Sequence, residues 1–254
     1  MIILKSEEEI EKIRISSQIA GSILSELEMA VKAGIKTIQL EELAVSLFKK
    51  HESGAAFLGY NGFPAHICVS VNDTVVHGIP GNYCLREGDI VSIDVGVLKN
   101  GYYGDVAGTF PVGKISKEDE KLIQITRKSL YAGIENARVG NRLFDISHVI
   151  EKIVTDAGFS VVRDFVGHGI GQEMHEDPQI PNFGGPHTGP ILKQGMVLAI
   201  EPMVNVGTYK VFVEKDKWTV RTRDHKKSAH FEHTVAILKD GPCILSAVGN
   251  KLIV

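Results

Sequence analysis

Four acids of this chain lie in or against apolar runs that read as β-strands, where a bare carboxylate has no ordinary reason to be. Asp94 sits inside Ile90-Val91-Ser92-Ile93-Asp94-Val95-Gly96-Val97-Leu98. Period-two alternation puts Ile93, Val95 and Val97 on one face and Ser92, Asp94 and Gly96 on the other. The small face-mates leave room for an ion. Asp105 returns in a second run over residues 102–110, after a turn at Lys99-Asn100-Gly101. An even-length loop gives 94 and 105 the parity to share a face, and a two-residue Lys99-Asn100 loop sets them directly opposite. Glu201 ends the run Val197-Leu198-Ala199-Ile200, and Glu232 lies in residues 228–238, where alternation groups His230, Glu232, Thr234 and Ala236. Burying a carboxylate costs several kcal/mol, on the order of the penalty for any buried ion, unless a positive charge neutralises it. No Lys or Arg lies within these strand cores, so the sequence predicts bound cations.

An imidazole completes the set. Phe165-Val166-Gly167-His168-Gly169-Ile170-Gly171 flanks His168 with glycines that permit close backbone approach, and His175 follows seven residues later. Two Asp, two Glu and one His without a thiolate suit two divalent first-row ions, Co, Mn, Fe or Zn, better than one structural zinc. Two such ions about 3.5 Å apart hold a bridging water as hydroxide at neutral pH and polarise a carbonyl. That is hydrolase chemistry, with Glu201 as proton shuttle and the neutral histidines His77 and His175 steadying the developing charge. No nucleophile elbow, Walker loop or dinucleotide fingerprint competes.

The elements that must position these groups are legible as a repeat. Ser6-Glu7-Glu8-Glu9 reads as a capping box for a helix that carries Ile10, Ile13, Ala20, Leu24, Leu27 and Val31 and ends by Ala33-Gly34. A second helix runs from about Thr37 to before Gly54. Ser116-Lys117-Glu118-Asp119 opens a third, and a fourth carries Leu143, Ile146, Val149 and Ile153 and closes at Gly158. Gly34 with Leu40, Leu43 and Leu47 matches Gly140 with Ile146, Val149 and Ile153. At nearly the same offset, Gly88-Asp89-Ile90-Val91-Ser92-Ile93-Asp94 matches Gly195-Met196-Val197-Leu198-Ala199-Ile200-Glu201. The expectation is a single catalytic domain over 1–254, built of two related halves, about 1–115 and 116–254, about a pseudo-twofold axis. Pro178 to Pro190, rich in proline and glycine, reads as a surface loop.

Composition narrows the class. With 28 Lys plus Arg against 31 Asp plus Glu, the net charge of −3 gives no global basic field for nucleic acid. No apolar run reaches the roughly 18–20 residues needed to cross a bilayer, and an acidic stretch stands where a signal peptide needs its apolar segment. Three scattered cysteines, Cys68, Cys84 and Cys243, form no C-x-x-C pair and no disulfide framework. The expectation is a cytoplasmic protein.

The ordered set Asp94, Asp105, His168, Glu201 and Glu232, with His77 and Gly167-His168-Gly169-Ile170-Gly171-x-x-x-His175, resembles the methionine aminopeptidases. The resemblance covers nearly the whole chain, including Leu58-Gly59-Tyr60-Asn61-Gly62-Phe63-Pro64 and Ile200-Glu201-Pro202-Met203-Val204-Asn205. It implies an α/β (α+β) fold, the duplicated pseudo-twofold "pita-bread" fold with an antiparallel sheet covered by helices. It also implies removal of the initiator Met from nascent peptides. Carried over residue by residue, Asp94, Asp105, His168, Glu201 and Glu232 would be metal ligands, and Glu201 would also shuttle the proton. His77 would face the scissile amide nitrogen and His175 the carbonyl. The Met side chain would lie among Phe57, Tyr60, Phe63, Cys68, Met174 and Trp218. Phe57, Phe63 and Met174 depart from residues common at those positions in the family. The short spacings between His168, Glu201 and Glu232 imply a type I, bacterial-type member without an N-terminal extension.

Other readings have distinguishing marks. An Xaa-Pro peptidase shares the metal set and usually carries a further N-terminal domain, whereas a binding-only relative would lack ligands. The basic residues Lys210, Lys215, Lys217, Arg221, Arg223, Lys226 and Lys227 read as a solvated hairpin face that could also meet ribosomal RNA. No specific nucleic-acid site, no membrane contact and a monomer are expected.

Overall fold

The N-terminal capping box forms as the sequence predicts: the Ser6 hydroxyl accepts from the Glu9 N–H and the Glu9 carboxylate accepts from the Ser6 N–H. In this computed structural model, which describes residues 1–248, it opens α1 (Glu7–Ala30). α2 (Thr37–Lys50) follows, and after the first strands come α3 (Lys117–Asn136), opened by a second capping box at Ser116 and Asp119, and α4 (Leu143–Asp156). The strands of the first part are β1 (Gly54–Ala55), β2 (Cys68–Val71), β3 (Thr74–Val76), β4 (Ile90–Lys99) and β5 (Tyr102–Pro111). Next are β6 (Ser160–Val161), β7 (Gly167–Gly169), β8 (Glu176–Ile180), β9 (Val197–Ile200) and β10 (Met203–Asn205). The last are β11 (Val211–Val213), β12 (Val220–Thr222), β13 (Ser228–His230), β14 (Glu232–Leu238) and β15 (Gly241–Ile244).

Nine strands make one antiparallel sheet in the order β1-β4-β5-β14-β9-β7-β8, with β2 added to β4 and β15 to β14. Two three-stranded sheets, β13-β10-β6 and β11-β12-β3, flank it. The pleat divides the main sheet into a helix-covered face and a polar face. Val91, Ile93, Val95 and Val97 pack with Ile23, Leu24 and Leu27 of α1 and Leu40 of α2. Leu198, Ile200, Val235 and Ile237 pack with Leu122 and Leu130 of α3 and Ile146 of α4. Fully burying each of these side chains contributes about 1.5–3 kcal/mol, so the alternation fixes the register and turns the intervening acids to the opposite face. This is the mixed α/β pita-bread architecture expected.

The paired segments of the repeat have matching conformations. Gly34 and Gly140 have φ of 92° and 93°, and Gly88 and Gly195 both have 89°, a left-handed region that glycine enters without steric cost. The Gly34 N–H donates to Leu85 O as the Gly140 N–H donates to Leu192 O.

Three expectations need correction. The β4–β5 turn is Asn100-Gly101, not Lys99-Asn100, so Asp94 pairs with Ala107 and Asp105 with Gly96. The two acids share a face diagonally. A two-residue hairpin of the favoured twist needs positive φ at both central positions; Asn100 and Gly101 have 53° and 77°. The run 228–238 is split at Phe231 into β13 and β14, which belong to different sheets. The segment from Pro178 is not all surface loop: Pro178 to Ile180 belong to edge strand β8, and Asn182 is buried with its amide donating to Glu201 O.

Candidate metal centre and substrate pocket

Phe57, Tyr60, Phe63, Cys68, His77, Asp94, Asp105, His168, Met174, His175, Glu201, Trp218 and Glu232 line one cavity of about 260 Å³ on the polar face of the sheet. Asn61, at the bend between Tyr60 and Gly62 (φ 47°), joins them and had no signal of its own beyond its turn-prone neighbours.

The acids converge from four strands. β4 brings Asp94 and β5 Asp105, the residue just after β9 is Glu201, and the start of β14 is Glu232. Burial is the first cause of raised pKa at all four, with mutual repulsion added for Asp94, Asp105 and Glu232. Asp94 and Glu232 are pushed well above the carboxylate range, Asp105 to about 7 and Glu201 to about 8. Among the described residues none of the four pairs with Lys or Arg; the ion partners within 4.0 Å are histidines. Asp94 Oδ1 and Glu232 Oε1 are buried with no hydrogen-bond partner. Two overlapping groups of donor atoms close enough for a metal ion are Asp105, His168, Glu232 and Glu201, His230, Glu232. Orphaned carboxylate oxygens in an oxygen-rich set with imidazole fit divalent metal ions.

His168 is oriented for coordination. Its Nδ1 lies 2.9 Å from Gly169 O, a pure acceptor, so Nδ1 carries the proton and Nε2 presents its lone pair to the carboxylates. The flanking glycines are steric requirements. A Cβ on Gly167 would stand 2.5 Å from Ala199 O, and one on Gly169 2.2 Å from Asp177 O. Burial depresses the His168 pKa to about 3, which keeps the ring neutral.

The remaining histidines are placed around the acids. His175 rests its ring 4.3 Å from that of His168, and its Nδ1 is 2.7 Å from the Tyr60 hydroxyl. His77 holds a strained φ of 59°, packs edge-on against Phe165 and Trp218, and has its pKa lowered to about 4 by burial and by His230 and His175. Strain at such a residue is characteristic of sites where position matters more than local comfort.

The apolar wall corrects one sequence reading. Gly96 leaves no room for an ion: a Cβ there would meet Phe57 ring carbons at 2.8 and 2.9 Å, so its missing side chain admits the pocket wall. Phe63 stands edge-on to Phe57 and to Trp218, with centroids 6.4 and 5.2 Å away. Cys68 is register partner of Asp94 and is buried beside it, with its thiol pKa raised by burial and then by that acid.

His230 is the residue that sequence reasoning left outside the site. Its Nε2 lies 3.3 Å from Glu201 Oε2 and 4.0 Å from Glu232 Oε2. The signal was its place two residues before Glu232, on the same face. In the basic run, Arg221 is taken up by Asp73 and Glu214, and Lys227 by Asp119.

The sequence model of metallopeptidase family M24 matches residues 11–239. A methionine aminopeptidase of Clostridium perfringens is 56% identical over 248 residues, 98% of this chain and 100% of that one. A methionine aminopeptidase of Clostridium acetobutylicum is 53% identical over 247 residues, 97% and 99% of the two chains. The crystal structure of the methionine aminopeptidase from Thermotoga maritima matches with a TM-score of 0.95 at 45% identity, covering 97% of this chain and 99% of that one.

Proposed function

The chain belongs to metallopeptidase family M24, among the methionine aminopeptidases, and we propose that it removes the initiator Met from nascent peptides by metal-dependent hydrolysis. The observation that carries this reading is the convergence of four carboxylates unneutralised by Lys or Arg, Asp105 and Glu232 buried and Asp94 and Glu201 half-buried, with one oriented imidazole in an apolar-walled pocket. Asp94, Asp105, His168, Glu201 and Glu232 would hold two divalent ions, drawn from Co, Mn, Fe and Zn. Bound there, the pair would supply hydroxide at neutral pH and polarise the scissile carbonyl.

The chain's own groups do the rest. Phe57, Phe63, Cys68, Met174 and Trp218 present a soft apolar lining that suits an unbranched thioether. Glu201, ionised when it holds a metal ion, can take a proton from the attacking water and pass it to the leaving amine. In the tautomer in which Nδ1 accepts from the Tyr60 hydroxyl, His175 carries its proton on Nε2 and can donate to the substrate carbonyl as negative charge grows. His77, neutral and fixed by Trp218 and Phe165, faces the amide nitrogen side. The products are free Met and a peptide shortened by one residue, one water being consumed.

Two related halves, about 1–115 and 116–254, make the catalytic domain in this reading; residues 249–254 lie outside the described part. The matching glycine torsions and backbone bonds at Gly34 and Gly140 support it. The enzyme would act on nascent chains in the cytoplasm as a monomer. Any ribosome contact would fall on the basic residues of the run that have no ion pair among the described residues, Lys210, Lys215 and Lys217 among them.

The test is hydrolysis of Met-Gly-Met-Met, with Leu-Gly-Met-Met as control, by metal-free protein and after adding Co, Mn, Fe(II) or Zn. Metal-dependent release of Met alone is expected. Asp94→Ala should reduce it on the order of 100-fold or more, and His77→Ala about 100-fold in kcat. No Met release from folded protein under any metal overturns the reading.

A further inference from the structure

His230 is built into the metal centre yet has no part in the reaction described so far. It ends β13, one residue before the break at Phe231, and is only 2% exposed. Its backbone is held on both sides by one hydroxyl: the His230 N–H donates to Thr109 Oγ1 at 2.9 Å, and that hydroxyl donates to His230 O at 2.8 Å. Its Nε2 is buried and makes no hydrogen bond among the described residues, although Glu201 Oε2 is 3.3 Å away. A neighbouring histidine shows the contrast. His233, on the helix side of β14, has Nδ1 on the Ser246 hydroxyl and Nε2 3.3 Å from the Tyr131 hydroxyl. His233 is a satisfied core histidine and His230 is not.

An orphaned buried nitrogen carries an uncompensated desolvation cost, unless something outside the chain accepts its lone pair. The two donor groups divide suggestively. Asp105, His168 and Glu232 form one, Glu201, His230 and Glu232 the other; each has a single imidazole, and Glu232 is common to both.

We propose that His230 Nε2 is a sixth protein ligand of the centre, an imidazole donor to a divalent ion from the Glu201–Glu232 side. This rests on the metal-centre reading above. The neutral ring donates its Nε2 lone pair and keeps its other proton on Nδ1, so no further proton is released on binding.

Zn(II) titration of the metal-free, histidine-¹⁵N-labelled full chain, read by imidazole ¹⁵N shifts, tests it without any assay of activity. Two Nε2 signals are expected at zinc-coordinated positions, one lost in His168→Gln and the other in His230→Gln. Calorimetry of Zn(II) binding should show His230→Gln weakened about tenfold or more for one ion. If His168 alone moves, the proposal is overturned and the metal centre stands. If neither moves, both readings fall. A count of one in the wild-type protein overturns the proposal whether or not His230→Gln folds, and His230→Asn replaces that variant if it is unstable.

Discussion

Gly96 shows how one missing side chain shapes the wall of the candidate pocket. It shares a face with Asp94, and the space it leaves is filled by the Phe57 ring rather than by an ion. Gly96→Ala forces that ring and the Ala56 methyl, at 2.8 Å from the added carbon, to give way. Overpacking of this kind costs about 1–3 kcal/mol. The expected outcome is a loss of that size in urea unfolding, with KM for Met-Gly-Met-Met raised several-fold and metal binding kept. An unchanged KM would mean that Phe57 does not shape the Met pocket. His168 is the opposite case, a residue whose chemistry is set by its neighbour's backbone carbonyl rather than by its own pocket.

At the level of elements, the seam between β5 and β14 carries Asp105 and Glu232 of the proposed metal centre and is flanked by two threonines. Only Glu232 with Ala107 and His233 with Val106 pair as regular ladder residues. On one side, the Asp105 N–H donates to Thr234 Oγ1 and that hydroxyl donates to Asp105 O. On the other, Thr109 does the same for His230. Each hydroxyl therefore satisfies both backbone groups of a residue at the candidate metal centre. Thr234→Val removes the hydroxyl at nearly constant volume and leaves the Asp105 N–H and C=O unpaired in the interior. The expected loss is about 1–3 kcal/mol per orphaned group, measurable by chemical denaturation, together with weaker Mn(II) binding by calorimetry. Thr234→Ser should restore most of both, and equal behaviour of Val and Ser would sink the clamp argument.

Over the whole molecule, the buried acids make stability depend on pH in a way that bound metal should reverse. Asp105 and Glu201, raised to about 7 and 8, keep protons in the folded metal-free protein that the unfolded chain has already released. More protons bound in the native state means that stability falls as pH rises. Below about 6.5 His77, His168, His230 and His233 oppose this, because their lowered pKa values leave the unfolded chain more protonated there. The carboxylate effect stands alone between about pH 6.5 and 8, at roughly 1.4 kcal/mol per pH unit for each proton to be lost. Metal-free protein should thus unfold at lower temperature at pH 8 than at pH 6.5. Addition of Mn(II) should raise the midpoint more at pH 8, where the ligands are ionised. A flat profile without metal would show that the four acids are solvated rather than buried.

No helix among the described residues is long and apolar enough to cross a membrane. Composition alone indicated as much, because the periodicity of α1 to α4 is that of one-sided burial. Amphipathic period, capping boxes and the acid-in-strand anomaly are local, and so Asp94, Asp105, Glu201 and Glu232 could be singled out from residue order before any contact was known. The roles of Phe57, Tyr60, Phe63, Cys68, Met174 and Trp218 came only through family resemblance, since an apolar residue in a pocket and one in a core look alike along the chain. Tertiary structure decided the rest. The Asn100-Gly101 turn set the diagonal register of Asp94 and Asp105, because turn torsions outweigh the parity that any even loop allows. The break at Phe231 kept His230 beside Glu201 while moving it to another sheet. Whether a buried imidazole is satisfied, as His233 is by Ser246 and Tyr131, or orphaned, as His230 is, depends on partners distant along the chain. That is a property of packing, which no spacing encodes.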